Sequence, residues 1–209
     1  MLIESVVVGA FQCNCLILAD EDTRQAIVID PGDEPERVLD IIRHYDLAVR
    51  FTLHTHAHLD HIMGTRTLKQ ALGPELLLHA ADAFLYDRLV EQAAEFGWRV
   101  DEPVPIDRFI AEGDDVPFGH AHVTVLHTPG HTPGSVCFQM PGEAPILFAG
   151  DTLFAGSIGR TDLPGGSYES IIQSIREKVL PLREDTIVYP GHGPRTTIWE
   201  EKRQNPFLI

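Results

Sequence analysis

Basic residues are the first scarcity of this sequence: 16 Lys and Arg stand against 31 Asp and Glu, a formal charge of −15 with His neutral. A nucleic-acid backbone needs Lys and Arg at its phosphates, so nucleic acid is not expected as the main partner. Long apolar runs are missing as well. Nothing approaches the roughly 18 uninterrupted apolar residues of a membrane span, so no membrane partner is expected. The apolar opening from Met1 to Val8 lacks a basic leader, carries Glu4 and runs into Gln12 and Asn14. It reads as a strand rather than an export signal. Cysteine is nearly absent, with only Cys13, Cys15 and Cys137. An odd number at no common zinc spacing, each in an apolar strand-like run, points to buried free thiols in a reducing cytoplasm. Short-period repeats and low-complexity tracts are absent too.

What is present is an ordinary globular composition: 209 residues, 44% hydrophobic and 22% charged. That length suits one large domain with its own core better than two, so a single domain over residues 1–209 is expected. Within it, Thr55-His56-Ala57-His58-Leu59-Asp60-His61 packs three imidazoles and one carboxylate into a few positions. Imidazole nitrogen and carboxylate oxygen are the donors that Zn²⁺ and similar cations take. An extended segment points His56 and His58 to one side, because its side chains alternate with a period of two. Asp60 and His61 then fall where a helix should start. The bland alternative is a chance surface cluster, since the chain holds 11 His.

Along the chain, the patterning predicts antiparallel strands at residues 6–8, 14–18 and 26–30, then a helix from Pro35 to Tyr45 with Val38, Leu39, Ile41 and Ile42 on one stripe. A strand at 49–53 delivers the histidine cluster. Leu59 to Leu72 reads as one helix, 76–79 as a strand, and Ala80 to Phe96 as helical. Residues 97–119, rich in Pro, Gly and acid, read as an irregular excursion. Strands come next at 122–126, 135–139 and 146–148. Ser167 is a candidate N-cap for a helix carrying Ile171, Ile172, Ile175 and Val179. A strand at 186–189 and a short helix near Thr197 to Arg203 close the chain. Two halves of strands then helices imply an α/β fold, an αββα sandwich of two mixed sheets covered by helices.

Three downstream loops begin at strand ends and carry ligand chemistry: Thr128-Pro129-Gly130-His131-Thr132-Pro133-Gly134, Ala149-Gly150-Asp151-Thr152 and Tyr189-Pro190-Gly191-His192-Gly193. Each alone is weak, because a His beside a Pro-Gly turn is more often structural and an Asp at a strand end is often a cap. Together with the first cluster they place five His and two Asp at strand carboxyl ends, which tend to converge on one crevice. His54 reads as a packed core histidine. Asp30, just before Pro31-Gly32, either holds a ligand histidine from behind or caps the turn.

This order of residues resembles the metallo-β-lactamase superfamily over nearly the whole chain. The resemblance implies that His56, His58 and His131 bind one metal, Asp60, His61 and His192 a second, and that Asp151 bridges them. It implies two divalent cations, Zn with Fe or Mn as alternatives. The stretch from Asp151 to Gly166, containing Gly159-Arg160-Thr161-Asp162, is similar to the glyoxalase II branch, the hydroxyacylglutathione hydrolases of short single-domain type, without the C-terminal helical domain of longer members. This likeness implies a cytoplasmic metallo-hydrolase, monomeric or homodimeric, that cleaves a small-molecule glutathione thioester with a metal-bridging hydroxide. Asp60 would orient that hydroxide and Arg160 would grip the glutathione portion; an internal ion pair with Asp162 is the other reading of Arg160. The rival is a mononuclear iron persulfide dioxygenase using His56, His131 and Asp151. A lactonase or other ester hydrolase shares the ligand set, and a non-catalytic or ribonuclease-like module is a third class.

Overall fold

In the computed structural model, which describes all 209 residues, the chain forms two compact units. One comprises residues 1–110 with 117–121, the other 111–116 with 122–209. The first unit holds β1 (Leu2–Val8), β2 (Cys13–Ala19), β3 (Gln25–Ile29), α1 (Pro35–His44), β4 (Ala48–Leu53), α2 (Leu59–Ile62), α3 (Thr65–Leu72), β5 (Glu75–His79), α4 (Ala83–Tyr86), α5 (Leu89–Glu95) and β6 (Arg108–Ile110). Its sheet runs in order β1-β2-β3-β4-β5-β6, antiparallel across the first three strands and parallel thereafter. Parallel pairing places the carboxyl ends of β3 and β4 side by side, and the histidine cluster leaves from the end of β4.

Buried Val38, Leu39 and Ile42 fix α1 to this sheet through Val6, Val8, Ile17 and Val28. Each such side chain contributes about 1.5–3 kcal/mol on burial. Cys13, Cys15 and Cys137 are buried free thiols, as their apolar setting predicts.

The single helix expected over Leu59 to Leu72 is two, α2 and α3, separated at Gly64. The backbone of Gly64 lies against the Pro31-Gly32 turn, where a Cβ would sit 3.0 Å from Gly32 O and 3.2 Å from Pro31 O. Tertiary contact thus overrides helical periodicity. The helix expected over 80–96 is likewise interrupted, as a 3₁₀ turn at Ala80–Asp82 followed by α4 and α5. The 97–119 excursion contains two short strands that periodicity missed, β6 and β7 (Asp115–Phe118).

The remaining elements are β8 (Ala121–His127), β9 (Val136–Met140), β10 (Ile146–Gly150), β11 (Leu153–Phe154), β12 (Ser157–Ile158), α6 (Tyr168–Ser174), β13 (Ile187–Pro190), β14 (Thr196–Thr197) and α7 (Ile198–Gln204). The second sheet runs β14-β13-β10-β9-β8-β7, with β10 and β13 parallel, so both sheets are mixed. Ile171, Ile175, Val179 and Ile198 pack on Leu147, Ala149 and Val188. The α6 stripe continues through a π turn at Ile175–Val179.

Ser167 caps α6 as the sequence predicts, its Oγ accepting from Ser170 N at 3.2 Å. Ser167→Ala should lower stability by about 1 kcal/mol and Ser167→Asp should retain it. Urea midpoints at constant slope measure the difference; an Ala variant matching the parent would refute the capping role.

Candidate metal centre

In the first unit the ligand geometry begins at Asp30, where β3 ends. Its backbone turns left-handed at φ 50°, and its N–H donates to Leu53 O at 2.9 Å, at the end of β4. A non-glycine residue in that region carries strain of order 1–3 kcal/mol, which the surroundings must offset. The carboxylate, 2% exposed, does so with three donors. Oδ1 accepts Thr55 N–H at 2.7 Å, and Oδ2 accepts the Thr55 hydroxyl at 2.6 Å and His61 Nδ1–H at 2.9 Å. With its one proton given to Asp30, Thr55 Oγ1 accepts from His56 Nδ1 at 3.1 Å. One carboxylate therefore sets the tautomer of two imidazoles, directly for His61 and through Thr55 for His56. Both present the Nε2 lone pair, the form in which imidazole binds a metal.

The rings gather accordingly. His56 and His58 have centroids 4.8 Å apart, and His56 and His61 are separated by 4.1 Å. Asp60 Oδ2 lies 3.7 Å from His61 Nε2. Two donors at about 2.1 Å from a tetrahedral cation stand about 3.4 Å apart, so separations of this size suit a shared ion. Ala57 and Leu59, alternating with the histidines, are buried with Leu78, Leu85 and Leu89. Two residues that sequence reasoning missed brace the segment from behind. Asp82, fully buried, accepts Ala57 N–H at 3.1 Å, while Gln92 accepts Leu59 N–H at 3.0 Å and donates to Ala57 O at 3.0 Å. Cys13 Sγ lies 3.5 Å from His61 Nδ1, but burial pushes its thiol up to about 11, so it stays protonated. His54 is the core histidine expected, bonded to Leu77 O and Thr65 Oγ1 at 2.9 Å each.

In the second unit the equivalent of Asp30 is a backbone carbonyl. His131 donates Nδ1–H to Arg160 O at 2.8 Å and turns Nε2 toward Asp151, 3.5 Å from Oδ2. The same Oδ2 is 3.6 Å from His192 Nε2. Asp151 thus lies between two imidazoles, where one oxygen faces both. The loop bearing His131 is held at both ends: Thr128 N–H donates to Ser135 O at 2.8 Å, and Ser167 N–H to Gly130 O at 2.8 Å. Gly191 N–H donates to Gly150 O at 2.7 Å, fixing the His192 turn to the Asp151 turn.

The Arg160 side chain forms the internal ion pair that was its other reading. Nε and Nη2 donate to the two Asp162 oxygens at 2.8 and 2.7 Å, with the Arg160 and Asp162 side chains 61% and 68% exposed. Hydrogen bonding from Arg160 pulls Asp162 down to about 2. The contribution sequence reasoning did not anticipate is its backbone oxygen on His131.

Comparison with known proteins agrees with this donor chemistry. The profile of the metallo-beta-lactamase superfamily matches residues 8–192. Hydroxyacylglutathione hydrolase GloC of Haemophilus influenzae is 46% identical over 210 residues, covering 100% of this chain and 98% of that protein. Among solved structures, the BLEG-1 B3 metallo-beta-lactamase superposes with a TM-score of 0.92 at 36% identity, covering 100% of both chains. TTHA1623 in a di-iron-bound form superposes at 0.89 with 39% identity, covering 98% of this chain and 100% of the other.

Asp30→Asn keeps the volume but sets an NH₂ against donors on either side. It should cost about 1–3 kcal/mol of stability and weaken retention of bound metal by about 10–100-fold. Urea unfolding and competition with a chelator read the two effects; parental values in both would show that Asp30 merely caps a turn.

Proposed function

The chain belongs to the metallo-beta-lactamase superfamily as one of its metallo-hydrolases, and from that premise we propose that it hydrolyses glutathione thioesters of the S-lactoylglutathione kind. The full-length likeness to hydroxyacylglutathione hydrolase GloC carries the choice of substrate. His56, His58 and His131 would hold one divalent cation, Asp60, His61 and His192 the other, and Asp151 would serve both. The donor set fits: the residues are imidazoles and carboxylates, and His56, His61 and His131 each have Nδ1 engaged at a protein oxygen, leaving Nε2 for a cation. Asp151 suits the shared position because a single oxygen faces Nε2 of both His131 and His192. Zinc is one suitable occupant, and iron another in view of the di-iron form of TTHA1623.

Bound there, such a pair would supply Lewis acidity for the acyl oxygen and lower the pKa of a bound water to about 7. The protein's own part is positional. Asp60, side chain 17% exposed beside His61, would orient the water and take up its proton as the acyl carbon is attacked, and would return that proton to the glutathione sulfur as the acyl C–S bond breaks. Arg160, released from Asp162, pairs with a glutathione carboxylate through two parallel hydrogen bonds. No Ser or Cys nucleophile is required, in keeping with thiols that burial holds protonated at Cys13 and Cys137. No helix is long and apolar enough to cross a membrane.

Elemental analysis of purified protein should give close to two metals per chain, and Asp151→Ala should reduce S-lactoylglutathione hydrolysis to background. One iron per chain with oxygen uptake on glutathione persulfide would replace the hydrolase reading with a dioxygenase. Preferential turnover of a lactone or a β-lactam would replace the thioester. Arg160→Ala should raise KM for the glutathione thioester more than for a neutral thioester; equal effects would leave Arg160 a structural residue.

A further inference from the structure

Glu201 is a buried carboxylate, 3% exposed, that the proposed chemistry does not use. It lies on α7 one turn before Asn205, which is fully buried. Three groups donate to it: Thr196 Oγ1 to Oε1 at 2.7 Å, Asn205 Nδ2 to Oε2 at 2.7 Å, and Gly156 N–H to Oε1 and Oε2 at 3.2 and 3.0 Å. Asn205 Nδ2 also donates to Ser157 O at 3.0 Å. No Lys or Arg shares in this arrangement. Burying a carboxylate is costly, and hydrogen-bond donors such as these make it tolerable. The result is two fixed points on one turn, the N–H of Gly156 and the carbonyl of Ser157.

That turn is the tip of the β11–β12 hairpin, which pairs only Leu153 with Ile158 and Phe154 with Ser157. So short a two-stranded ribbon is marginal without outside support. Its two ends are the metal-ligand region of the second unit. Asp151 leads into it. Gly159 and Arg160 leave it, with Arg160 O holding His131 Nδ1 at 2.8 Å. Gly159 approaches Asp151 so closely that a Cβ would fall 1.8 Å from Asp151 O and 3.3 Å from His131 Cβ. Phe154 within the hairpin sets its ring 6.3 Å from that of His192.

We propose that Glu201 and Asn205 are positioning residues that hold His131 and Asp151 in ligand geometry through the β11–β12 hairpin. This inference rests on the reading that His131 and Asp151 bind metal. Neither residue contacts a reacting atom; each acts through the backbone of Gly156, Ser157 and Arg160.

The test uses protein produced on cobalt-supplemented medium, with three readouts: the cobalt d–d spectrum, the rate of cobalt loss to a chelator, and the melting temperature. Glu201→Gln is isosteric, yet its NH₂ must oppose Gly156 N–H whichever way the amide is turned. Asn205→Ala removes the second fixed point. Both should release cobalt about 10-fold faster with shifted d–d bands, while Thr196→Ser, which keeps the hydroxyl, should match the parent. Val38→Ala, a core truncation on α1, should lower the melting temperature without changing spectrum or release. If Glu201→Gln and Asn205→Ala lower only the melting temperature, the clamp is merely structural and the inference fails. A parent protein without stoichiometric cobalt, or His131→Ala and Asp151→Ala proteins with the parental spectrum, would instead overturn the ligand reading beneath it.

Discussion

The first unit depends on one buried carboxylate. Asp30 terminates β3 in a left-handed conformation that an ordinary L-residue avoids, and its three accepted hydrogen bonds offset that strain while ordering Thr55 and His61 in the segment that follows β4. Remove the acceptor and Thr55 loses both its backbone and hydroxyl partner, its freed hydroxyl proton can turn to His56 Nδ1 so that the tautomer of that ring is no longer fixed, and His61 loses its orientation. The parallel β3–β4 pairing, with Asp30 N–H on Leu53 O, brings the carboxylate to the histidine segment. Packing of Ala57 and Leu59 beneath that segment, with Asp82 and Gln92 behind it, then leaves the imidazoles no other direction to face.

The second unit meets the same requirement with different means. A backbone carbonyl orients His131, a strand end presents Asp151, and a Gly-flanked turn presents His192. The orienting carbonyl belongs to Arg160, on a loop whose position traces back to buried Glu201 and Asn205. Buried polar groups with complete hydrogen bonding thus recur behind both ligand sets, where an apolar substitute of equal volume could pack but not aim a ring.

The ligand candidates were legible because their chemistry is carried by residue type and strand-end position, both visible in a linear sequence. His56-x-His58 falls on an extended tip, as alternation predicts, and Asp60-His61 in the first turn of a helix, where one was expected to start. Asp30 was legible only as a choice between two roles, since its donors lie 25 and 31 residues away. Gln92, Asp82, Glu201 and Asn205 were not legible at all, because a polar residue in or at the end of a helical turn has no local signature of the backbone it reaches. The split at Gly64 and the strands β6 and β7 escaped for a related reason. Elements of three or four residues are selected by their neighbours, and a helix interrupted by contact with a distant turn keeps its periodicity on either side. Arg160 was legible through its side chain alone, since nothing in a sequence marks a backbone oxygen such as the one that accepts from His131.

The central claim is that the two ligand sets bind two metals with Asp151 shared. Anomalous-scattering maps from crystals of the purified protein, recorded at the zinc and iron absorption edges, test it most directly. Two peaks are expected, one bonded to His56, His58 and His131, the other to Asp60, His61 and His192, with Asp151 bonded to both. A single peak, or peaks that leave Asp151 uncoordinated, would contradict it.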